Sequence, residues 1–347
     1  MRRIENLDSS TRGERKFRPK IHATRHKTVG GSISIQPLQM WSVQSGDDAL
    51  RGGELEIRTK HPILYRISTL RAAAVTPESA RTYRYGFRCE LRNTKVNDIK
   101  QEMARKYELT YHAILKKIVT GPVVHADETK GVVYGGGHYV WIFANLNSVA
   151  YVYSASREAS TLTEVLSGFK GVLVSDFYTA YDSLSCPQQK CLVHLMRDIN
   201  GDLLKHPFNE ELTFVAQQFG TLLRRIVETI DRHGLKKFFL QKHKRLAQQF
   251  IDEIASLDCS TEVGSALKKR IDKNKDKLFT FLDYDGVPWN NNNAEHAVRA
   301  FTRLRNGMST STPKGTTDYC ILLSLQQTLK YRGIEFLDFL RSGRTDI

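Results

Sequence analysis

The sequence is short of cysteine, of acidic residues and of long hydrophobic runs, and each shortage excludes a class of protein. Five cysteines are scattered along 347 residues without a C-x-x-C pair, which gives no zinc-finger signature and is typical of a reducing compartment. No run of about 18 apolar residues and no signal-peptide pattern is present, so no membrane partner is expected. These absences predict a soluble, cytoplasmic protein. The cysteines are Cys89, Cys186, Cys191, Cys259 and Cys320.

The shortage of acids leaves a formal net charge of +15. Residues 1–120 contain 24 Lys and Arg against 12 Asp and Glu, whereas residues 121–347 contain 28 against 25. Because the basic excess is concentrated near the N-terminus, we predict a partly disordered, DNA-contacting region over residues 1–120, and a nucleoid-associated protein. A solvated basic tail is the alternative. The fold of this region is not predicted, apart from a helix over 94–117.

From residue 121 onward the sequence predicts strands, and two buried ones end in acids. Pro122–Glu128 and Gly171–Asp176 are short apolar runs of the kind found in the middle of a sheet. The predicted order is β-β-β-α-β-α-β. Its other elements are strands over 138–146, 150–154 and 190–195 and helices over 161–169 and 178–184.

In residues 196–283 the apolar residues recur with the period of a helix instead. Apolar residues recur at helical spacing over 212–230, 235–257 and 263–281, which predicts three amphipathic helices. Lysine and arginine crowd their outer faces. Such a face is usually only solvated, and a path for a DNA backbone is the alternative.

Four consecutive asparagines then precede a further helix. Asparagine is a good helix cap, and apolar residues follow at helical spacing, so Glu295 is predicted in the first turn, where the helix dipole favours a carboxylate. Arg299 and Arg303 follow four and eight residues later on the same face. A single acid in this setting is usually just a helix-start residue. Helices over 319–330 and 336–340 are predicted to end the chain.

Asp127, Asp176 and Glu295 together allow a specific chemistry. A strand-end Asp alone is more often a turn or cap residue than a ligand. Three carboxylates in one cleft would repel one another unless a cation neutralised them, and hard oxygen ligands suit Mg²⁺ or Mn²⁺. Two such ions can stabilise the attacking and leaving oxygens of a phosphoryl displacement. On this hypothesis Asp127 contacts both ions, and Asp176 and Glu295 hold one each.

Five stretches, in this order, resemble transposases of the bacterial insertion-sequence-66 family, which are of the D-D-E type. They are HADET (125–129), GVLVSDFYTAYD (171–182), QQKCLVHLMRD (188–198), VPWNNNNAEHAVR (287–299) and GIEFLDFLRSG (333–343). The resemblance covers about residues 121–343, and the combination is highly specific although no single piece is.

The resemblance, together with the strand pattern, implies a ribonuclease-H-like α/β domain with an all-α insertion. Its first part would span residues 121–195, the helical insertion 196–285, and the glutamate helix with the C-terminal helices 286–347. The implied activity is metal-dependent cleavage at transposon ends followed by strand transfer into target DNA, with Asp127, Asp176 and Glu295 as catalytic acids. A homo-oligomer on paired ends and small accessory proteins of the same element are implied as partners.

Other residues carry weaker predictions. Cys191 and His194 have a C-x-x-H spacing that resembles a motif of related transposases; two ligands are too few for structural zinc, so a supporting role is favoured. DNA-binding candidates are Trp289, Asn292, Arg299 and Arg303. A tryptophan that braces the turn and arginines paired with acids are the alternatives.

Two other functions stay open at the level of sequence. Family members generally carry a cysteine-bearing module before the catalytic domain, and residues 1–120 show no such module. The chain could therefore be a transposase-derived DNA-binding protein without transposition activity. A metal-dependent nuclease without strand transfer is the other alternative.

Overall fold

The structure is a computed structural model that describes residues 93–131, 133–305 and 311–347. Most of the predicted basic N-terminal region, residues 1–92, lies outside the described residues. Within the described part of the chain, no helix is both long and apolar enough to span a bilayer.

A five-stranded mixed sheet forms the centre of the described chain, which confirms the predicted α/β class. The spatial order of the strands is β3-β2-β1-β4-β5. β1, β2 and β3 are antiparallel neighbours, whereas β4 and β5 run parallel to β1. The strands are β1 Val123–Lys130, β2 Tyr139–Ala144, β3 Val149–Ser154, β4 Val172–Ser175 and β5 Gln188–Lys190.

Two layers of helices cover the sheet because its central strands are apolar on both faces. On one face Val124 and Ala126 pack in a cluster with two helices, α2 (Glu108–Val119) and α3 (Ala159–Val165). On the other face Val172 and Val174 pack in a different cluster, which is filled by the helices that follow β5. Successive strand side chains point to opposite faces, so each residue of β1 and β4 is assigned to one layer.

The helix predicted over 94–117 is in fact two helices, α1 (Asn93–Lys106) and α2. The break is at Tyr107, whose ring is fully buried and lies 5.9 Å from that of Phe339. Because α1 packs on a C-terminal helix and α2 on the sheet, the chain must turn between them.

The strand predicted over 190–195 is wrong beyond its first residue. β5 ends at Lys190, and α4 (Leu192–Lys205) begins two residues later, after Cys191 as its N-cap. Leu192, Leu195 and Ile199 are buried together, which is a helical spacing. Within only six residues, a short apolar run cannot be assigned to a helix or a strand from its periodicity.

The helices after α4 bury one continuous apolar cluster. The helix predicted over 235–257 is interrupted by a 3₁₀ turn at Gln241–His243, whereas the other two predicted helices are present. A second 3₁₀ turn, Thr280–Asp283, follows the last of them. The helices are α5 Glu210–His233, α6 Lys237–Leu240, α7 Lys244–Ser256 and α8 Glu262–Leu278.

Three helices complete the described chain: α9 Asn292–Arg305, α10 Pro313–Tyr331 and α11 Phe336–Ser342. α10 lies along the edge strand β3. Ser324 Oγ accepts the Tyr151 N–H at 2.9 Å, and Thr328 Oγ1 accepts the Val149 N–H at 3.0 Å. Side-chain hydroxyls of α10 therefore satisfy backbone donors that an edge strand leaves open.

The opposite edge of the sheet is satisfied in a similar way. Thr280 Oγ1 donates to the Gln188 carbonyl at 2.7 Å. The Gln189 amide donates to the Leu278 carbonyl and accepts the Phe281 N–H. The 3₁₀ turn after α8 is thereby fixed against β5.

Candidate functional site

Asp127 lies within β1, and Asp176 directly follows the neighbouring parallel strand β4. The last residue of β1 in register with β4 is His125, opposite Val174, and each aspartate lies two positions further along its chain segment. Neighbouring strands are about 4.8 Å apart, and residues in register share a face. The two acids therefore share the face of the sheet that the helices after β5 cover.

Both carboxylates accept one hydrogen bond from the backbone beside them. Asp127 Oδ1 accepts the Glu128 N–H at 2.8 Å, and Asp176 Oδ1 accepts the Tyr178 N–H at 2.9 Å. Within the described residues, the second oxygen of each carboxylate makes no hydrogen bond. Each side chain is thus oriented by its own turn and keeps an oxygen for a ligand.

Glu295 approaches the same face from α9. The helix packs against β1 and β2, and Glu295 lies in its first turn with 16% of its side chain exposed. The pKa of Asp127 is raised to about 7, chiefly by burial and in smaller part by the negative charges of Glu128, Asp176 and Glu295, while the hydrogen bond from the Glu128 N–H acts in the opposite direction. All three predicted acids are therefore close enough to interact electrostatically.

A buried asparagine fixes the start of α9. Asn291 is fully buried, its Nδ2 donates to the Ala126 carbonyl at 2.9 Å, and its Oδ1 lies 3.1 Å from His125 Nδ1. The Asn291 N–H points at Cys191 Sγ, 3.2 Å away. One residue thus ties β1 and the β5–α4 junction to the helix that carries Glu295.

This role of Asn291 was missed in the sequence, where the four asparagines are equivalent as cap residues. Asn292, the predicted DNA-binding member of the run, is exposed, and its N–H bonds Asn290 Oδ1. The only available signal was the position of Asn291 directly before the helix.

His125 is a neutral member of the same layer. Burial lowers its pKa to about 4, although the hydrogen bond to Asn291 acts in the opposite direction. At neutral pH His125 therefore adds no positive charge that could offset the acids.

Cys191 and His194 lie next to Glu295. One ligand atom from each of the three residues lies within 4.8 Å of the others, and His194 Nδ1 is 3.9 Å from Glu295 Oε1. Arg197, one turn further along α4, places its terminal nitrogens 3.4 Å from both Glu295 oxygens. The sequence predicted that Cys191 and His194 act together, but it did not predict that Glu295 and Arg197 lie next to them.

The remaining predicted residues lie around this centre. Trp289 is partly buried and packs against the apolar cluster of α4 to α8, and its carbonyl accepts the Leu192 N–H at 2.9 Å. Arg299 and Arg303 are exposed on α9. Neither arginine forms an ion pair with an acid of the described residues.

Glu128 follows Asp127 in sequence but faces the other side of the sheet. Its side chain is 4% exposed. It accepts a hydrogen bond from Arg157 Nη2 at 2.5 Å and another from Tyr181 Oη at 2.9 Å. This acid is therefore already paired on the far face of the sheet and does not point at the acidic group, although its charge still acts on Asp127.

We expect Glu128→Gln to lower the free energy of unfolding by about 1–2 kcal/mol, because a buried charge-assisted hydrogen bond is lost. The loss stays small because Arg157 is half exposed, so water can solvate its charge. Urea unfolding measures the change, with the exposed helix-start acid Glu262→Gln as control. A loss of metal response in Glu128→Gln would show that Glu128, too, faces the site.

The donor set fits a hard divalent cation. Asp127, Asp176 and Glu295 offer carboxylate oxygens, and the pKa of Asp127 is raised first by burial and then by nearby negative charges, which a bound cation would offset. Oxygen ligands with this charge are those that Mg²⁺ and Mn²⁺ prefer.

Comparisons with known proteins identify the family of the chain. A family model described as "Transposase IS66 family" matches residues 81–317. An uncharacterized protein of Sinorhizobium fredii, y4qI, is 24% identical over 267 residues, which cover 67% of this chain and 49% of that protein. The chain thus spans about half the length of the curated relative it matches.

Proposed function

The chain belongs to the insertion-sequence-66 family of transposases, and we propose that it is a DNA transposase that cleaves transposon ends and joins them to target DNA. The family match confirms the resemblance found in the sequence. The observation that supports the proposal is that the charges of Asp176 and Glu295 act on the buried Asp127, which lies two residues beyond the last pair of β1 with β4.

The proposed architecture is a ribonuclease-H-like domain with a helical insertion. Support comes from the sheet, in which three antiparallel strands are followed by two parallel ones, and from the helices between β5 and α9. We assign residues 121–195 to the first part of the domain, 196–285 to the insertion and 286–347 to the part that carries Glu295.

Asp127, Asp176 and Glu295 would hold Mg²⁺ or Mn²⁺. When bound, two such ions would activate water or a 3′-hydroxyl and stabilise the leaving oxygen of the phosphodiester. Asn291 holds the start of α9 against β1, which keeps Glu295 over the two aspartates. Arg197 must release Glu295 before its carboxylate can serve as a ligand.

We assign DNA contacts to the surface of α9 and the turn before it. Arg299 and Arg303 are exposed cations one and two turns beyond Glu295, where they could bind phosphates. Asn292 is exposed at the same helix start. Trp289 is the weakest of these assignments, because its ring packs against the apolar cluster of α4 to α8.

The proposed partners are transposon-end DNA and target DNA, with a homo-oligomer on paired ends and small accessory proteins of the same element. The basic excess of the chain supports an anionic partner.

The test is a cleavage and joining assay with the full chain. Labelled DNA that carries the terminal sequences flanking the gene is incubated with a target plasmid and Mg²⁺, with EDTA and a scrambled end sequence as controls. We expect nicked ends and labelled plasmid only with Mg²⁺ and the true end. Cuts without joining would show a nuclease, gel shifts alone a DNA-binding protein, and either result would overturn the proposal.

A further inference from the structure

The side chains of Cys191, His194 and Glu295 form a second group of ligands beside the three acids. Cys191 caps α4, His194 lies in its first turn, and Glu295 comes from the first turn of α9. Their ligand atoms lie within 4.8 Å of one another. In a tetrahedral zinc site these separations are about 3.3–3.8 Å, so side-chain shifts of about 1 Å would complete it.

The nitrogen of this group is unused. His194 Nδ1 is buried and makes no hydrogen bond within the described part of the chain, although the imidazole as a whole is 30% exposed. A buried ring nitrogen without a partner is unfavourable unless a ligand satisfies it. The carboxylate 3.9 Å away is too distant to do so directly.

The sulfur of this group, Cys191 Sγ, is held near the other two ligand atoms. Cys191 is fully buried, its N–H donates to the Ser175 carbonyl at 2.8 Å, and its Sγ accepts the Asn291 N–H. These bonds fix the backbone on both sides of the thiol. A divalent cation displaces the thiol proton when it binds, so the sulfur would serve as a thiolate.

The donor set selects the metal. One thiolate, one imidazole and one carboxylate suit zinc, which takes three protein ligands and a water at open sites, whereas Mg²⁺ prefers oxygen alone. His194 and Glu295 remain partly exposed, so a cation can reach the site from solvent.

We propose that Cys191 Sγ, His194 Nδ1 and a Glu295 oxygen bind Zn²⁺, and that this site withdraws Glu295 from the acid group. The consequence for activity rests on the proposed function: Zn²⁺ inhibits the Mg²⁺-dependent reaction because a Glu295 carboxylate bound beside Cys191 and His194 is drawn away from the two aspartates. Arg197, which contacts both Glu295 oxygens, holds the carboxylate when neither cation is bound.

Cobalt absorption tests the site without any assay of activity. The full metal-free chain is titrated with Co²⁺, whose thiolate ligands give a charge-transfer band that oxygen ligands do not. We expect one Co²⁺ per chain with that band and its loss on addition of Zn²⁺. Cys191→Ser should remove the band, and His194→Gln should weaken Co²⁺ binding at least about tenfold.

Matched cysteine variants locate the ligand. Cys259→Ser, at a partly buried free thiol, and Cys89→Ser, outside the described residues, should keep the band. Circular dichroism checks that each variant is folded, and the partly exposed His194 provides a second test should Cys191→Ser fail to fold. No thiolate band in the wild type, or unchanged Co²⁺ binding in His194→Gln, overturns the proposal.

Inhibition is then measured as the ratio of cleavage with and without one equivalent of Zn²⁺, separately for each variant. The ratio should approach one in His194→Gln and stay low in Cys259→Ser. If no variant and no wild type cleaves DNA, the proposed function fails, while the cobalt result still decides whether the zinc site exists.

Discussion

Replacing Asp127 by Asn is expected to make the metal-free protein more stable at pH 8 while abolishing Mg²⁺-dependent cleavage. The pKa of Asp127 is raised from 3.8 to about 7, chiefly by burial. Each unit corresponds to about 1.4 kcal/mol, so the folded protein carries a penalty of up to about 4 kcal/mol when this carboxyl is ionised. Asparagine has the same shape without the charge.

The pH dependence has a definite sign. A carboxyl with a higher pKa in the folded state binds its proton more tightly there, so its contribution to stability is complete below about pH 4. That contribution is lost as the pH rises towards 7. Metal-free wild type should therefore lose stability over this range, and Asp127→Asn should lose much less.

Chemical denaturation in EDTA at a series of pH values measures both curves. Mg²⁺ should stabilise the wild type at pH 8 and stabilise Asp127→Asn much less, because the buried charge that the cation neutralises is gone. Glu262→Gln, another acid in the first turn of a helix, serves as the control and should follow the wild type. Identical pH dependence of wild type and Asp127→Asn would show that Asp127 is not buried with the other acids.

The same variant tests the chemistry. The bound metal is expected to stabilise the transition state by several kcal/mol, and losing that stabilisation lowers the cleavage rate at least about 1,000-fold. Asp176→Asn and Glu295→Gln should lose cleavage to a similar extent. Full activity in any one of the three would remove that residue from the site.

Asn291→Ala is expected to lower the free energy of unfolding by about 2–4 kcal/mol, the second largest effect. The substitution leaves the Ala126 carbonyl and His125 Nδ1 without their partner in a fully buried place. Each unsatisfied buried group costs about 1–3 kcal/mol.

The neighbouring Asn292→Ala is a matched control, since that side chain is exposed and a surface change there should alter stability by about 0.5 kcal/mol or less. Asn291→Ala should also weaken the stabilisation by Mg²⁺, because α9 is no longer fixed over β1. Equal stability of the two variants would contradict the anchoring role of Asn291.

The positions of the two aspartates could be predicted because they follow from local pattern. β1 and β4 are apolar runs that pair in parallel; β1 continues to Lys130, but Asp127 and Asp176 each follow the last pair by two residues and so lie near each other once the pairing is known. The dipole argument for Glu295 worked for the same reason, since the first turn of α9 depends on capping within a few residues.

Contacts between distant segments could not be predicted. Asn291 and Cys191 are 100 residues apart, and nothing in either stretch distinguishes this asparagine from its three neighbours. The start of α4 was missed because, over so few residues, Val193 and Leu195 fit an alternating pattern as well as Leu192 and Leu195 fit a helical one. Which pattern prevails is decided by the apolar cluster of α4 to α8, built by residues far along the chain.

The hydrogen bonds at the two outer strands limit how copies of this protein can associate. Ser324 and Thr328 occupy two backbone donors of β3, and Thr280 occupies one backbone acceptor of β5. Neither border of the sheet can accept a strand from another molecule without first breaking these bonds. A multimer assembled on paired DNA ends would therefore join through helical surfaces or through the DNA itself, and the sheets of its subunits would remain separate.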